Sequence, residues 1–138
     1  MNRSEISNIN YGSQWQHFCF TWAHSTGTVK YYTNGQEGKS KTALTDSDST
    51  IPGGGKFYVG QLQGSYGGGF DDGKSFRGYM SNLNMWNRLL NSDEIKSQYN
   101  NGACNDVHIP SGDEIVKWSI LTTSMSGDVK SATCPTRK

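Results

Sequence analysis

Asn34-Gly35 follows Val29-Lys30-Tyr31-Tyr32-Thr33, a run of β-favouring residues with period two, and this dipeptide tolerates the positive φ angles of a type I′ turn. The chain must reverse there, and the pattern predicts a hairpin whose returning strand runs from Lys41 to Leu44. Upstream, Trp15-Gln16-His17-Phe18-Cys19-Phe20-Thr21-Trp22 is dense in aromatic and β-favouring types. A period of two places Trp15, His17, Cys19 and Thr21 on one face, so the segment reads as a buried strand joined to the hairpin through the turn Ser25-Thr26-Gly27.

The rest of the chain is punctuated in the same way. With 17 Gly but only 3 Pro in 138 residues, the composition favours tight turns over rigid linkers. Aliphatic residues are scarce, and 4 Trp and 7 Tyr supply the area a core needs. After the loop Ile51-Pro52-Gly53-Gly54-Gly55, Lys56 to Gln61 reads as a short strand. A glycine-rich loop covers Gln63 to Gly73, and Ser75 to Trp86 reads as a long strand with a bend near Gly78. Asn91 to Tyr99 is the convincing helix: Asn91 can accept from the Glu94 amide while the Glu94 side chain returns to the Asn91 amide, and Gly102 closes it. Ile115 to Trp118 and Asp128 to Ala132 read as final strands. Many short strands with one late helix, on a one-domain length, describe an antiparallel β-sandwich.

Several function classes fall away on the same residues. The 13 basic and 12 acidic side chains are interspersed, with a net charge of +1, so nothing resembles the basic stripe that a nucleic acid requires. No apolar run spans a bilayer, and the opening Met1-Asn2-Arg3-Ser4-Glu5-Ile6-Ser7 lacks the apolar core of a secretion signal. Cys19, Cys104 and Cys134 cannot all pair within the chain, and their spacing offers no zinc knuckle. Gly68-Gly69-Phe70-Asp71-Asp72-Gly73-Lys74-Ser75 satisfies the P-loop expression, yet the residues after it read as a strand and two aspartates would repel phosphate. His17 and Cys19 could suggest a thiol and its base, but they read more simply as packed core residues. The acidic pair Asp93-Glu94 belongs to the helix cap, and Asp113-Glu114 solvates a turn. That leaves Gly60 to Ser75, where Asp71, Asp72 and backbone carbonyls lie in a glycine-rich loop. It is either an oxygen-ligated calcium loop or a plain solvated one.

His17-Phe18-Cys19-Phe20-Thr21-Trp22 resembles the pentraxin signature H-x-C-x-[ST]-W-x-[ST], with His24 at the last position where Ser or Thr is usual. The resemblance continues through Tyr32-Thr33-Asn34-Gly35, through Val59 to Phe70, and through Met80-Ser81-Asn82-Leu83-Asn84-Met85-Trp86-Asn87 with the capped helix after it. It extends to Ile115-Val116-Lys117-Trp118 and Gly127-Asp128-Val129. Four ordered segments and the tail agree, over about residues 11–132 of the 1–138 chain.

The resemblance implies an all-β, concanavalin-like jelly-roll sandwich with one short helix. It implies a secreted module of the lectin-like, innate-recognition type, assembled into homo-oligomeric rings, and not an enzyme. The ligand expected is a glycan or a phosphorylated head group. The alternative is a metal-independent structural or adhesive module of a larger extracellular protein, with protein partners. Because the match begins partway through the pentraxin pattern, the chain reads as the C-terminal larger part of such a domain, incomplete at its N-terminus. In the family the cysteine matching Cys19 pairs outside the matched region, which leaves Cys104 and Cys134 as a possible bridge. Family members place Glu, Gln and Asp after the Gly-Gln step, then an acid and a Gln further on. This chain has Leu62, Gln63, Gly64, Asp71 and Lys74 there. The expected calcium ligands are therefore Gln63, through its main-chain carbonyl, and Asp71, with Asp72 as neighbour; calcium binding should be weakened, with the Lys74 ammonium lying near Asp71.

Overall fold

The computed structural model describes residues 14–38, 40–42, 53–105 and 112–133. The chain divides into two compact units, Met1–Ser47 with Ser81–Lys138, and Asp48–Met80.

In the first unit, β1 (Phe18–Ala23) and β2 (Thr28–Thr33) pair antiparallel along their whole length, Phe18 opposite Thr33 and Ala23 opposite Thr28. The turn between them is a short 3-10 turn, His24–Thr26, closed by Gly27 at φ 62°. At the far end Asn34 and Gly35 have φ of 52° and 74°, the two positive angles a type I′ turn needs. A two-residue turn of this kind sends the chain back at once. The return therefore starts at β3 (Gln36–Glu37), with Thr33 opposite Gln36, and not at Lys41 as the sequence suggested. Pairing resumes at β4 (Lys41–Thr42), with Val29 opposite Lys41. Between those stretches the return strand carries one residue more than β2, a bulge, and the Gly38 N–H donates to the Tyr31 carbonyl at 2.7 Å. The half of the returning strand expected at 43–44 lies outside the described residues.

The long strand expected over Ser75 to Trp86 survives only as β5 (Met85–Trp86), and Lys56 to Gln61 forms no strand beyond a single bridge from Gln61 to Ser75. Positive φ at Gly60 (83°), Gly78 (152°) and Asn82 (54°) explains this, since each turns the backbone out of the pleat. β5 pairs antiparallel with β6 (Glu114–Val116) across a bulge. Trp118, expected to end that strand, instead opens the short helix α2 (Trp118–Leu121), because the Asn84 side-chain oxygen accepts its N–H at 2.9 Å in place of a strand neighbour. Residues 128–132 form no regular element. With short antiparallel strands and few helical turns, the architecture is all-β as expected.

Helix α1 (Ser92–Asn101) carries the capping box read from the sequence: Asn91 Oδ1 accepts from the Glu94 N–H at 2.9 Å, and Glu94 Oε2 accepts from the Asn91 N–H at 2.8 Å. Arg88 then grips the same carboxylate with both guanidinium arms, at 2.7 and 2.9 Å, and its Nε lies 3.5 Å from Asp113 just before β6. The helix start is thereby tied to the second sheet. The Arg88 guanidinium, with the Asn91 backbone amide second, holds the Glu94 carboxyl below its ordinary value of 4.5. A depressed carboxyl favours the folded state above the unfolded value, so this contribution is present at neutral pH and is lost as pH falls below about 4.5. Asn91→Ala removes the cap acceptor and is expected to cost about 1 kcal/mol, read as a lower urea midpoint with an unchanged slope.

Among the described residues the buried apolar side chains are Tyr32, Leu90 and Ile95, with Cys19 and Trp86 packed against them. Tyr32 and Cys19 are directly opposite on β2 and β1, so this face of the hairpin packs where α1 brings Ile95. On the other face, Phe18 and Phe20 remain 41% and 59% exposed.

Candidate functional site

The second unit holds the Gly60 to Ser75 loop. Its two ends are stitched together: the Gly60 carbonyl accepts from the Phe76 N–H at 2.7 Å, and Gln61 bridges Ser75. The Gln61 side chain reinforces this closure. Its amide nitrogen donates to the Asp71 carbonyl at 2.8 Å, and its oxygen accepts from the Ser75 hydroxyl at 2.9 Å.

Inside the loop, Ser65 and Gly68 bond each other's main chain around Tyr66-Gly67, and the Gly64 N–H lies 3.1 Å from the carbonyls of both Gly68 and Gly69. Gly64 and Gly69 approach so closely that a Cβ at position 64 would stand 2.6 Å from the Gly69 carbonyl oxygen. Only glycine fits there without backbone movement. Gln63 is consumed at both ends of its amide, donating to the Lys56 carbonyl at 2.8 Å and accepting from the Gly67 N–H at 3.0 Å. The side chains outside are aromatic: Tyr58 meets Phe70 edge-on at 5.0 Å, and the Lys56 ammonium lies 5.3 Å above the Tyr66 ring.

Asp71 caps a 3-10 turn, Asp72–Lys74. One carboxylate oxygen accepts from the Gly73 N–H at 2.9 Å, and the other lies 3.2 Å from the Lys74 ammonium. The pairing of Lys74 with Asp71 is thus present. Both partners are more than half exposed, so the pair is worth only about 0–1 kcal/mol. Asp72 is exposed, and its carbonyl accepts from Ser75.

Of the two carboxylates in this loop, Asp72 is exposed and Asp71 is already engaged. Asp71 already has a cation and an amide on its two oxygens, Leu62 brings no oxygen from its side chain, and position 64 has no room for one. Among the described residues no group of three or more His, Cys, Asp or Glu could hold a metal. The P-loop expression over Gly68 to Ser75 contains the three-residue 3-10 turn and is followed by Phe76 bonded to Gly60, so no helix N-terminus faces a phosphate. Gln61 and Gly64 were missed from sequence as structural elements of this loop. The Gly60-Gln61 step that opens the loop was the available signal.

Elsewhere, His17 and Cys19 share a strand face but make no catalytic pair among the described contacts. Burial pushes the Cys19 thiol up to about 11, the opposite of an activated nucleophile. Burial likewise lowers the His17 imidazole from its ordinary 6.5. Cys19 is a free thiol. His108 and Cys134 lie outside the described residues, and so does any geometry for a Cys104–Cys134 bridge. No helix among the described residues is long and apolar enough to cross a membrane.

The sequence matches the Pentaxin family model over residues 2–132. It is 36% identical over 121 residues to the pentraxin fusion protein of Xenopus laevis, covering 88% of this chain and 27% of that protein. To the serum amyloid P-component of Mesocricetus auratus it is 34% identical over 111 residues, covering 80% of this chain and 44% of that protein. To the female protein of Nothocricetulus migratorius it is 36% identical over 115 residues, with the same 80% and 44% coverage. The chain spans less than half the length of these relatives. The antiparallel hairpin on its Asn-Gly turn, the boxed helix and a family match running through nearly the whole sequence lead to one conclusion: the chain belongs to the pentraxin (Pentaxin) family, with its all-β jelly-roll fold.

Proposed function

We propose that residues 1–138 form a partial pentraxin-like domain, with the resemblance running over about 11–132, that serves as a secreted ligand-binding module of the lectin-like, innate-recognition type and not as an enzyme. Calcium-dependent binding is weakened or lost. The observation that carries this reading is the Lys74 to Asp71 contact of 3.2 Å, a tethered cation beside the one carboxylate kept from the family's ligand pattern. Extracellular location is supported by a relative whose name places it in serum. The ligand class is a glycan or a phosphorylated head group, presented to a homo-oligomeric ring as in the family.

A second reading, a metal-independent structural or adhesive module binding protein partners, is favoured by the loop's internally satisfied hydrogen bonds. Binding to immobilised glycans and to vesicles bearing a phosphorylated head group, each measured in calcium and in chelator, separates the two. Binding that survives chelator supports a calcium-weakened recognition module. Binding to neither surface supports the adhesive reading, and binding abolished by chelator contradicts both.

The cysteines complete the proposal. Cys104 and Cys134 form a bridge, supported by Cys19 remaining a free thiol among three cysteines. Peptide mapping without reduction is expected to recover a Cys104–Cys134 cross-linked peptide and an alkylatable Cys19. A Cys19 linkage to either late cysteine would contradict the alignment with the family.

A further inference from the structure

We propose that His17 makes the packing of the hairpin end against α1 an acid-released contact, closed while the imidazole is neutral and loosened when it takes a second proton. The main chain of His17 is clasped to the turn: its N–H donates to Asn34 Oδ1 at 3.0 Å, and its carbonyl accepts from the Asn34 N–H at 2.8 Å. The same turn rests on the helix, since a Cβ at Gly35 would lie 3.1 Å from Tyr99 Cβ and Cδ1 and 3.3 Å from Lys96 Cα. The His17 ring reaches that same helix residue, with its centroid 6.1 Å from the Tyr99 ring at a 50° tilt. Turn, imidazole and helix therefore meet at one place.

His17 Nδ1 is buried there with no hydrogen-bond partner among the described residues. A neutral imidazole tolerates this as an unused acceptor, whereas an imidazolium would bury an N–H without an acceptor, along with its charge. Among the described residues the neighbouring groups bring no open carboxylate. On α1 they are the Tyr99 phenol and the cationic Lys96, while Asp93 and Glu94 lie in the first turn, far from the Tyr99 end. On the strand face Cys19 stays protonated, its thiol pushed up to about 11. Tyr32 lies opposite Cys19, and the one hairpin carboxylate near it, Glu37, is engaged by Lys30 at 3.0 Å and by the Tyr32 hydroxyl at 3.4 Å. The helix end is capped by the Gly102 N–H on the Tyr99 carbonyl.

Burial lowers the His17 pKa below its ordinary 6.5, so the folded chain binds fewer protons than the unfolded one just under that value. Stability is then full above 6.5, falls as pH drops through 6.5 toward the lower folded value, and levels off beneath it. The Glu94 carboxyl titrates below 4.5, outside this window.

The test is an NMR titration of the unaltered chain, paired with thermal midpoints at about pH 7.5 and about pH 5.5, the range over which histidine changes charge. The His17 ring signal is expected to titrate below the ordinary 6.5, and the amide signals of Gly35, Lys96 and Tyr99 should move with the His17 midpoint. The thermal midpoint should drop on acidification in the parent and in His24→Gln, and the drop should vanish in His17→Gln. His17 titrating at or above 6.5, Gly35 and Tyr99 amides that do not respond, or an undiminished drop in His17→Gln would each overturn the proposal. Should His17→Gln fail to fold, the titration of the unaltered chain decides alone.

Discussion

Ile95→Ala is expected to destabilise the chain by about 2–5 kcal/mol, the range for emptying a filled core position. Ile95 is 0% exposed and is the largest fully buried side chain among the described residues. It stands between the hairpin, through Tyr32 and Cys19, and the segment leading into the helix, through Leu90 and Trp86. Three elements share that one side chain, so little else can collapse into the cavity. Against a typical total of about 5–15 kcal/mol, and with so few buried apolar partners, the loss should take away much of the cooperative transition. Ile120→Ala, at a position 62% exposed, is the control and should stay within about 0.5 kcal/mol of the parent. Equal urea midpoints for the two variants would contradict the placement of the core.

What was legible in the sequence follows from how local each code is. Asn34-Gly35 sets two positive φ angles by itself, and Asn91 with Glu94 forms a box within a single turn, so the hairpin and the helix could both be read directly. Arg88 could not. Its hold on Glu94 and Asp113 joins segments with no shared period, and only the folded chain brings them together. The overlong strands drawn through Gly60, Gly78 and Asn82 failed because β-favouring residues near them masked backbone angles that no strand accepts. In the candidate site, Asp71 and Lys74 were legible as a pair three residues apart within a recognisable family loop. The Gly64 to Gly69 contact was not, since glycine in a sequence signals freedom and only the structure shows it used for close approach.

The second large effect concerns calcium. Affinity follows the number of charged ligands and the rigidity of the site, and of the two carboxylates in this loop Asp71 is already paired. Lys74→Gln alone removes the competing ammonium but supplies no charge, and it is expected to raise calcium affinity little. Leu62→Glu, Gly64→Asp and Lys74→Gln together should raise it clearly, by adding two carboxylates where the family carries them. Gly64→Asp introduced alone should weaken the loop, because its Cβ would stand 2.6 Å from the Gly69 carbonyl and the backbone must give way. The triple variant keeps that backbone cost and is expected to start from a lower thermal midpoint than the parent, but to show a calcium-dependent rise that the parent lacks, as the ion held by the added carboxylates offsets the cost. A parent chain stabilised by calcium as strongly as the triple variant would remove the role assigned to Lys74.

Isothermal titration calorimetry of calcium into the unaltered chain tests the central claim most directly. The Lys74–Asp71 loop predicts no binding, or binding no tighter than about millimolar, the weak end of protein calcium sites. A micromolar dissociation constant would contradict it and would require Asp71 and Asp72 to work with oxygens outside the contacts described.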